Sequence, residues 1–496
     1  AKPICDRILE GVAGSSGDDA ACVYKEKTGL RIDSYFSAFK MRWLLENNPD
    51  VQAARADGSL ALGTMESFLI FHLTGGERHV TDVTNAHRTM LMNLHTLDWD
   101  PELCEVLLGV DSTEASSLLP ESILPNAHPT GFGVIQEGVL KGVPICGALG
   151  DQQSALVGQR CFEKGNLKST FGSSNVLLMN CGEGEGVVYS DDGLLTTVGY
   201  QMGPNTPPAY ALEGVVAVSG LGLRWMSENL RIAENPKEVV DIASSVTSSK
   251  GLYFVPAFSG LFGPYWDAEA RGIMMGLTGY HTREHVARAM VDAVCFQCKD
   301  VMDAMPVPPS MLKVDGGLAN SDFVMQLLAD VTQTTVEKPS NVESTALGAA
   351  IAAGVGCGHW ESVHSLGKDN TDPQPCLHLQ QAEATVTSRP RLFTERRATA
   401  AAAPSLPPSS VPRPRVAHSS PLTTTATSLC SPESSAGTLT QSSTFFEPEQ
   451  DAAGAIARRH KKWKDAVSRC MGWQHDDEDG DGNDDAEDDD DSDIDE

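Results

Sequence analysis

The feature that most constrains the fold is a long alternation of apolar runs, glycine turns and amphipathic patterns over residues 28–360. The apolar runs 145–149 and 251–256 are typical of buried strands. The spacing of apolar residues over 65–73 and 285–302 predicts helices. Strands and helices that alternate in this way predict an α/β protein, in which helices pack in layers on a sheet.

The rest of the chain has a different composition. Pro, Ser, Thr and Ala dominate residues 366–444, which have no usable periodicity, so we predict a low-complexity, disordered insert there. Ordinary composition returns at 445–473, where the apolar residues form one helical stripe. The acidic segment 474–496 carries about half of the formal net charge of −30, and we predict a disordered, solvated tail.

Composition also excludes several classes of protein. No stretch approaches the roughly 20 apolar residues that a membrane helix needs, and the acidic balance argues against nucleic acid as a partner. Twelve scattered cysteines indicate reduced thiols, and Cys295 and Cys298 fall inside a helical pattern rather than a zinc motif. We predict a cytoplasmic protein, and we leave open assembly into a homo-oligomer and association with mitochondria.

Asp151 is the first candidate site residue. It follows an apolar run, 143–149, and Gly150, and it precedes a small-residue helical pattern. Ligands of α/β folds bind at such strand ends, and a carboxylate there could accept a hydroxyl proton or hold a metal ion. A plain helix N-cap has the same pattern, so the motif alone leaves both interpretations open.

Two glycine-containing turns are candidates for phosphate binding. Residues 170–175 predict a hairpin whose turn is rich in hydroxyl groups, and 314–320 predict a strand, a double-glycine turn and then a helix. Such turns can direct N–H groups at a phosphate, but ordinary connections look the same. The order of Asp151, the hairpin and the double-glycine turn resembles that of the sugar-kinase and actin-like ATPase architecture.

Longer motifs resemble those of the FGGY carbohydrate kinases. Segments 35–47, 272–277 and 285–292 match two motifs of that family. Within the family, the glycerol kinases are the branch that the sequence resembles most densely, in segments 63–70, 73–91, 210–214 and 256–267.

The resemblance implies two actin-like (ribonuclease H-like) domains around a cleft. It places the N-terminal domain, on the glycerol side, at 1–158 and the nucleotide-side domain at 159–365, with a final helix at 445–473. The implied reaction is ATP-dependent phosphorylation of glycerol to glycerol 3-phosphate, with Mg²⁺ as the cofactor, which feeds glycerol catabolism and lipid metabolism.

The resemblance also assigns roles on the glycerol side. Asp151 matches the family's catalytic base and a ligand of the metal, and Gln152 and Tyr35 match glycerol contacts. Val176 stands where many members have a Phe against the glycerol carbons, which puts the affinity in doubt.

On the nucleotide side, Ser173 keeps the hydroxyl of the family's phosphate-binding Thr, and Gly220 and Gly317 match nucleotide contacts. Arg224 stands where many members have Gln, and Ser321 stands where many have Asn.

Family members also have an N-terminal phosphate hairpin and a later Arg-Glu pair that grips glycerol, and this sequence has neither. We therefore expect that the first domain is incomplete, that the sequence represents a fragment, and that the 496-residue chain has low activity by itself. A kinase of another polyol or sugar and a non-catalytic relative remain as alternative interpretations.

Overall fold

The structure is a computed structural model, and it describes residues 1–11, 18–340, 343–366, 443–449 and 453–473. Nearly all of the predicted insert and the whole of the predicted acidic tail lie outside the described residues.

The helices alternate with strands along most of the described chain. The helices are α1 (Lys2–Gly11), α2 (Asp18–Ala21), α3 (Lys25–Thr28), α4 (Ser37–Asn47), α5 (Pro49–Asp57), α6 (Met65–Leu73), α7 (Val83–His87), α8 (Pro101–Leu103), α9 (Ser112–Leu118), α10 (Asp151–Gly158), α11 (Gly220–Glu228), α12 (Pro236–Ser244), α13 (Arg283–Asp303), α14 (Asp322–Thr332), α15 (Ser344–Gly356) and α16 (Ala453–Ser468). The strands are β1 (Thr81–Asp82), β2 (Met92–Asn93), β3 (Asp98–Trp99), β4 (Ile123–Leu124), β5 (Leu167–Phe171), β6 (Asn175–Glu183), β7 (Leu195–Tyr200), β8 (Ala209–Val216), β9 (Tyr253–Val255), β10 (Ile273–Met275), β11 (Leu312–Gly316), β12 (Val336–Pro339) and β13 (Ser443–Phe446).

A seven-stranded mixed sheet organises the second half of the chain, in the order β13-β12-β11-β5-β6-β8-β7. β11 runs parallel to both β5 and β12, whereas β5, β6, β8 and β7 follow one another antiparallel. In the β5–β11 ladder, Thr170 lies opposite Asp315. The carboxyl ends of β5 and β11 therefore meet at one edge of the sheet, although they are far apart in the sequence.

Apolar side chains cover both faces of this sheet. Leu167 and Phe171 of β5 belong to the buried cluster that contains α13. Leu178 of β6 faces the other way and packs in a cluster with Leu156 of α10 and Ile351 of α15. The alternation follows from the two-residue period of a strand, and it gives the layered α/β arrangement that the sequence predicts.

Most of the predicted elements are present. The helix predicted over 65–73 is α6, the one predicted over 285–302 lies within α13, and β9 lies within the run 251–256. The final helical stripe corresponds to α16, which begins at Ala453 and ends at Ser468. The predicted hairpin over 170–175 is the turn between β5 and β6.

The strand predicted over 143–149 is wrong. This segment makes only isolated bridges, between Val134 and Pro144 and between Ala127 and Gly147. Pro144 has no N–H to donate to a ladder. At Gly147, a Cβ atom would lie 2.4 Å from the backbone nitrogen of Ala353, so helix α15 occupies the space beside the segment. The segment thus packs against a helix instead of joining a sheet.

Among the residues with described positions, no helix combines the length and the apolar character that crossing a bilayer requires.

Candidate active site

A cavity of about 700 Å³ opens at the edge of the sheet where β5 and β11 end. Its walls come from the β5–β6 turn, the first turn of α11, the start of α12 and the segment after β11. The lining residues are Phe171, Gly172, Ser173, Gly220, Leu223, Arg224, Pro236, Lys237, Val240, Asp241, Gly317, Leu318, Asn320 and Ser321. The volume is within the usual range of small-molecule sites.

The five residues that the resemblance assigns to the nucleotide all line this cavity. They are Ser173, Gly220, Arg224, Gly317 and Ser321. They come from three separate segments of the chain, namely the β5–β6 turn, α11 and the residues after β11. The pairing of β5 with β11 brings the first and the last of these together. The wall therefore combines a hydroxyl group, glycine backbone and a guanidinium group, which are groups that can bind phosphate.

Two glycines allow the walls to approach one another closely. The N–H of Gly220 donates a hydrogen bond of 3.0 Å to the carbonyl oxygen of Gly172, so α11 begins against the β5–β6 turn. A Cβ atom on Gly220 would lie 2.6 Å from that oxygen. Gly316 has a φ of +87°, and a Cβ there would lie 2.4 Å from the carbonyl oxygen of Phe171. Side chains at either position would push the walls apart.

The mouth of the cavity carries charged groups that the sequence analysis missed. Lys237 and Asp241 of α12 line it together with the exposed Arg224. The positive charges of Lys237 and Arg224 would attract an anionic ligand into the cavity. Ser321 is already engaged, since its hydroxyl accepts a hydrogen bond of 3.4 Å from the N–H of Val324 and caps α14.

Asp151 and Gln152 are neighbours at the start of α10 and, like Tyr35, do not line this cavity. Asp151 is exposed at the first position of α10, and its Oδ1 accepts a hydrogen bond of 2.8 Å from the N–H of Gln152. The preceding residue is fixed as well, because the N–H of Gly150 donates to Oγ1 of Thr84 at 2.8 Å. The carboxylate is thus held at a helix N-terminus, where the helix dipole favours a negative charge.

Tyr35 contacts an ion pair that is partly buried. Cζ of the Arg88 guanidinium lies over the Tyr35 ring, 5.1 Å from the ring centroid. The centroids of the Tyr35 and Phe262 rings lie 6.2 Å apart. Arg88 donates hydrogen bonds of 2.9 and 3.0 Å to the two carboxylate oxygens of Glu213, which is almost fully buried on β8. This bidentate pair fixes the cation over the ring. The aromatic surface of Tyr35 is therefore held in place while 43% of the residue stays exposed.

Lys168 of β5 contacts the start of α10, and the sequence analysis missed it. Its Nζ donates hydrogen bonds to Oε1 of Gln152 at 2.5 Å and to Oγ1 of Thr170 at 3.0 Å. The residue is completely buried. Burial lowers the pKa of Lys168 to about 8, while the carboxylates of Asp315 and Glu213 act against that shift. The signal in the sequence was a lysine in a strand whose other residues are uncharged.

Comparison with known proteins places the chain in a family. Residues 13–158 match the profile of the N-terminal domain of the FGGY family of carbohydrate kinases, and residues 167–357 match that of the C-terminal domain.

Curated relatives are similar over most of the chain. A "Probable glycerol kinase" of Dictyostelium discoideum is 45% identical over 371 residues, which are 72% of this chain and 67% of the relative. A "Glycerol kinase" of Mycolicibacterium gilvum is 48% identical over 370 residues, which are 73% of this chain and 71% of the relative.

Solved structures agree with the fold. The crystal structure of Plasmodium falciparum glycerol kinase with ADP matches with a TM-score of 0.63 and 36% identity, over 73% of this chain and 70% of that one. A ligand-bound xylulose kinase from Lactobacillus acidophilus matches with a TM-score of 0.66 and 20% identity, over 94% of this chain and 78% of that one. These similarities confirm the predicted fold class, the actin-like (ribonuclease H-like) two-domain α/β fold.

Proposed function

The chain belongs to the FGGY family of carbohydrate kinases, and on that premise we propose that it phosphorylates glycerol with ATP, giving glycerol 3-phosphate and ADP. The observation that carries the proposal is the cavity at the ends of β5 and β11, whose lining includes all five residues assigned to the nucleotide. The choice of glycerol is supported by the relatives at 45% and 48% identity, which bear the name glycerol kinase.

In the proposed reaction, a primary hydroxyl oxygen of glycerol attacks the terminal phosphorus of ATP. The bond between that phosphorus and the bridging oxygen breaks, ADP leaves, and the hydroxyl proton passes to the carboxylate of Asp151. Because the transition state of phosphoryl transfer is loose, the main tasks of the protein are to position the groups and to stabilise charge. Asp151 suits the first task, since it is exposed and anchored at the start of α10.

Ser173 and the glycine turns suit the second task. The hydroxyl of Ser173 and the backbone N–H groups near Gly317 would donate hydrogen bonds to the phosphate oxygens. Tyr35 and Gln152 would contact glycerol, with Tyr35 held by Arg88 and Gln152 held by Lys168.

The residues present fit a cation that arrives with the nucleotide. Mg²⁺ usually takes one or two carboxylates and completes its shell with phosphate and water oxygens. Asp151 offers such a carboxylate, and the described segments contain no group of three or more His, Cys, Asp and Glu side chains arranged to hold a metal. Asp151 would hold the ion, which when bound neutralises charge on the phosphates.

The boundaries of the two domains at 158 and 159, the cytoplasmic location and the individual site assignments remain predictions. They follow from the sequence and from the family resemblance.

The test is an assay of glycerol-dependent ADP release, made with the protein as its complete gene encodes it and expressed in a host without its own glycerol kinase. We expect turnover with glycerol and little with xylulose or gluconate. A preference for either sugar substrate, or no turnover with any of the three, would contradict the proposal. The 496-residue chain, assayed beside it, tests the expectation of low activity.

A further inference from the structure

Lys168 occupies a position where an ammonium group is costly. It is the second residue of β5, is 0% exposed, and its two hydrogen-bond partners, Gln152 and Thr170, are uncharged. Moving an ammonium group from water into a protein interior is strongly unfavourable unless other groups compensate for the lost hydration. If the position served only packing, an apolar side chain of similar length would fill it at lower cost. The position therefore indicates a role for the cation itself.

The hydrogen bond to Gln152 has a defined direction. An ammonium group can only donate, so Gln152 must turn its carbonyl oxygen toward Lys168. The amide nitrogen of Gln152 then points the other way, and it lies 3.4 Å from Oδ2 of Asp151. Lys168 thus selects one of the two orientations of this amide, namely the one that presents N–H groups beside the carboxylate.

The position of Lys168 in the fold links the two halves of the site. Lys168 and Thr170 lie on the same face of β5, five and three residues before Ser173 of the β5–β6 turn. Gln152 lies in the first turn of α10, next to Asp151. One side chain therefore connects the helix that presents the carboxylate with the hairpin that lines the nucleotide cavity.

We infer that Lys168 is a positioning residue for phosphoryl transfer: it fixes the amide of Gln152 toward the hydroxyl-bearing substrate and holds α10 in register with the β5–β6 hairpin. The inference rests on the proposed function, because it assumes that Gln152 contacts glycerol. The sequence analysis predicted no role for Lys168, and the inference adds this residue to the site residues that were assigned from the resemblance.

The experiment is a double-mutant cycle of Lys168→Met and Gln152→Ala, made in the complete gene product. We expect Lys168→Met to lower kcat/KM for glycerol about 10²-fold through misplacement of Gln152. The loss should lie mainly in KM for glycerol, while KM for ATP stays within about threefold of the parent value. If Lys168 acts through Gln152, the double variant should be no worse than the more damaged single variant.

Lys313→Met is the matched control. Lys313 is the register partner of Lys168 on β11, and its Nζ donates to the carbonyl oxygen of Gln159 at 2.9 Å. Its replacement also removes a partly buried ammonium group from this face of the sheet, and we expect nearly parental glycerol kinetics.

If Lys168→Met does not fold, Lys168→Gln takes its place in the cycle, because its amide can still donate to Gln152. We then expect a smaller loss of kcat/KM for glycerol, which is still non-additive with the loss caused by Gln152→Ala. Losses that multiply in the double variant, or parental kinetics in the folded Lys168 variant, would overturn the inference alone. A parent protein without glycerol-dependent turnover would overturn the proposed function and, with it, the inference.

Discussion

The indole Nε1 of Trp463 donates a hydrogen bond of 2.6 Å to Oδ2 of Asp300, and both residues are buried. The other oxygen of the same carboxylate lies 2.6 Å from Nε2 of His460. The ring of Trp463 also stacks on Phe296, with centroids 5.7 Å apart. Because Asp300 and Phe296 belong to α13, these contacts hold α16 against that helix.

We predict that Trp463→Phe destabilises the protein by about 1–3 kcal/mol, since it keeps most of the ring but leaves a buried carboxylate oxygen without its donor. The measurement is the urea dependence of unfolding. Lys462→Ala, at the exposed neighbouring position of α16, should change stability by less than about 0.5 kcal/mol. Equal stability of Trp463→Phe and the parent would show that the hydrogen bond contributes nothing.

We predict that Asp151→Asn lowers turnover with glycerol about 10²–10⁴-fold, because an amide cannot accept the hydroxyl proton. The melting temperature should stay near that of the parent, since Asp151 is exposed. Asp50→Asn is the control: Asp50 is also an exposed acid in the first turn of a helix, α5, and its change should leave turnover unaltered. Near-parental turnover of Asp151→Asn would refute its role as the base.

We predict that Gly220→Ala weakens ATP binding and spares glycerol binding. The new methyl group would meet the carbonyl oxygen of Gly172 at 2.6 Å, so the β5–β6 turn must move away from α11. A displacement of that kind can cost up to about 10²-fold in kcat/KM for ATP. Gly279→Ala is the control, because a Cβ there would enter open space. An equal effect of both variants on KM for ATP would contradict this assignment of the cavity.

We predict that Glu66→Gln makes stability less dependent on pH. Burial, and then the neighbouring Asp82, raise the pKa of Glu66 to about 9, and burial raises the pKa of Asp82 as well. We place the proton on Glu66, because Asp82 accepts several hydrogen bonds, among them those from Asn85 and Asn126 at 2.6 and 2.9 Å.

The sign follows from the proton count. Between pH 4.5 and 9, the folded protein keeps the proton on Glu66 and the unfolded chain has released it. The free energy of unfolding therefore falls as pH rises, with a limiting slope of about 1.4 kcal/mol per pH unit.

The measurement compares denaturant midpoints at pH 6 and pH 8.5. The denaturant midpoint of Glu66→Gln should rise relative to that of the parent between pH 6 and pH 8.5. The midpoint of Glu77→Gln, a change at an exposed residue, should follow that of the parent at both pH values. Parallel pH curves for the parent and Glu66→Gln would show that Glu66 is ionised throughout.

Elements with local signals were predictable from the sequence. The helix α6 has the predicted bounds, because Thr64 can cap its start and the glycines after Thr74 end it. The β5–β6 turn and the turn after β11 were found from their own glycines. The segment 143–149 was mistaken for a strand because apolar character does not show whether a partner strand is available, and α15 lies beside it.

The site was predictable only where a family motif covers it. Ser173, Gly220 and Gly317 were assigned from the resemblance, and the structure places them around one cavity. No family motif assigned a role to Lys168. Its inferred role depends on its contact with α10 and on carboxylates of β8 and β11. Contacts between residues so distant in the sequence arise from the strand order, which no local pattern specifies.

The pairing of β5 with β11 also has a consequence during synthesis. A ribosome releases the β5–β6 hairpin and α11 long before it releases β11 and the double-glycine turn that follows. Until then, one wall of the nucleotide cavity does not exist, and β5 has an unpaired edge on the side that β11 later covers. The cavity therefore forms late in synthesis, and until then the edge of β5 is open to pairing with another strand.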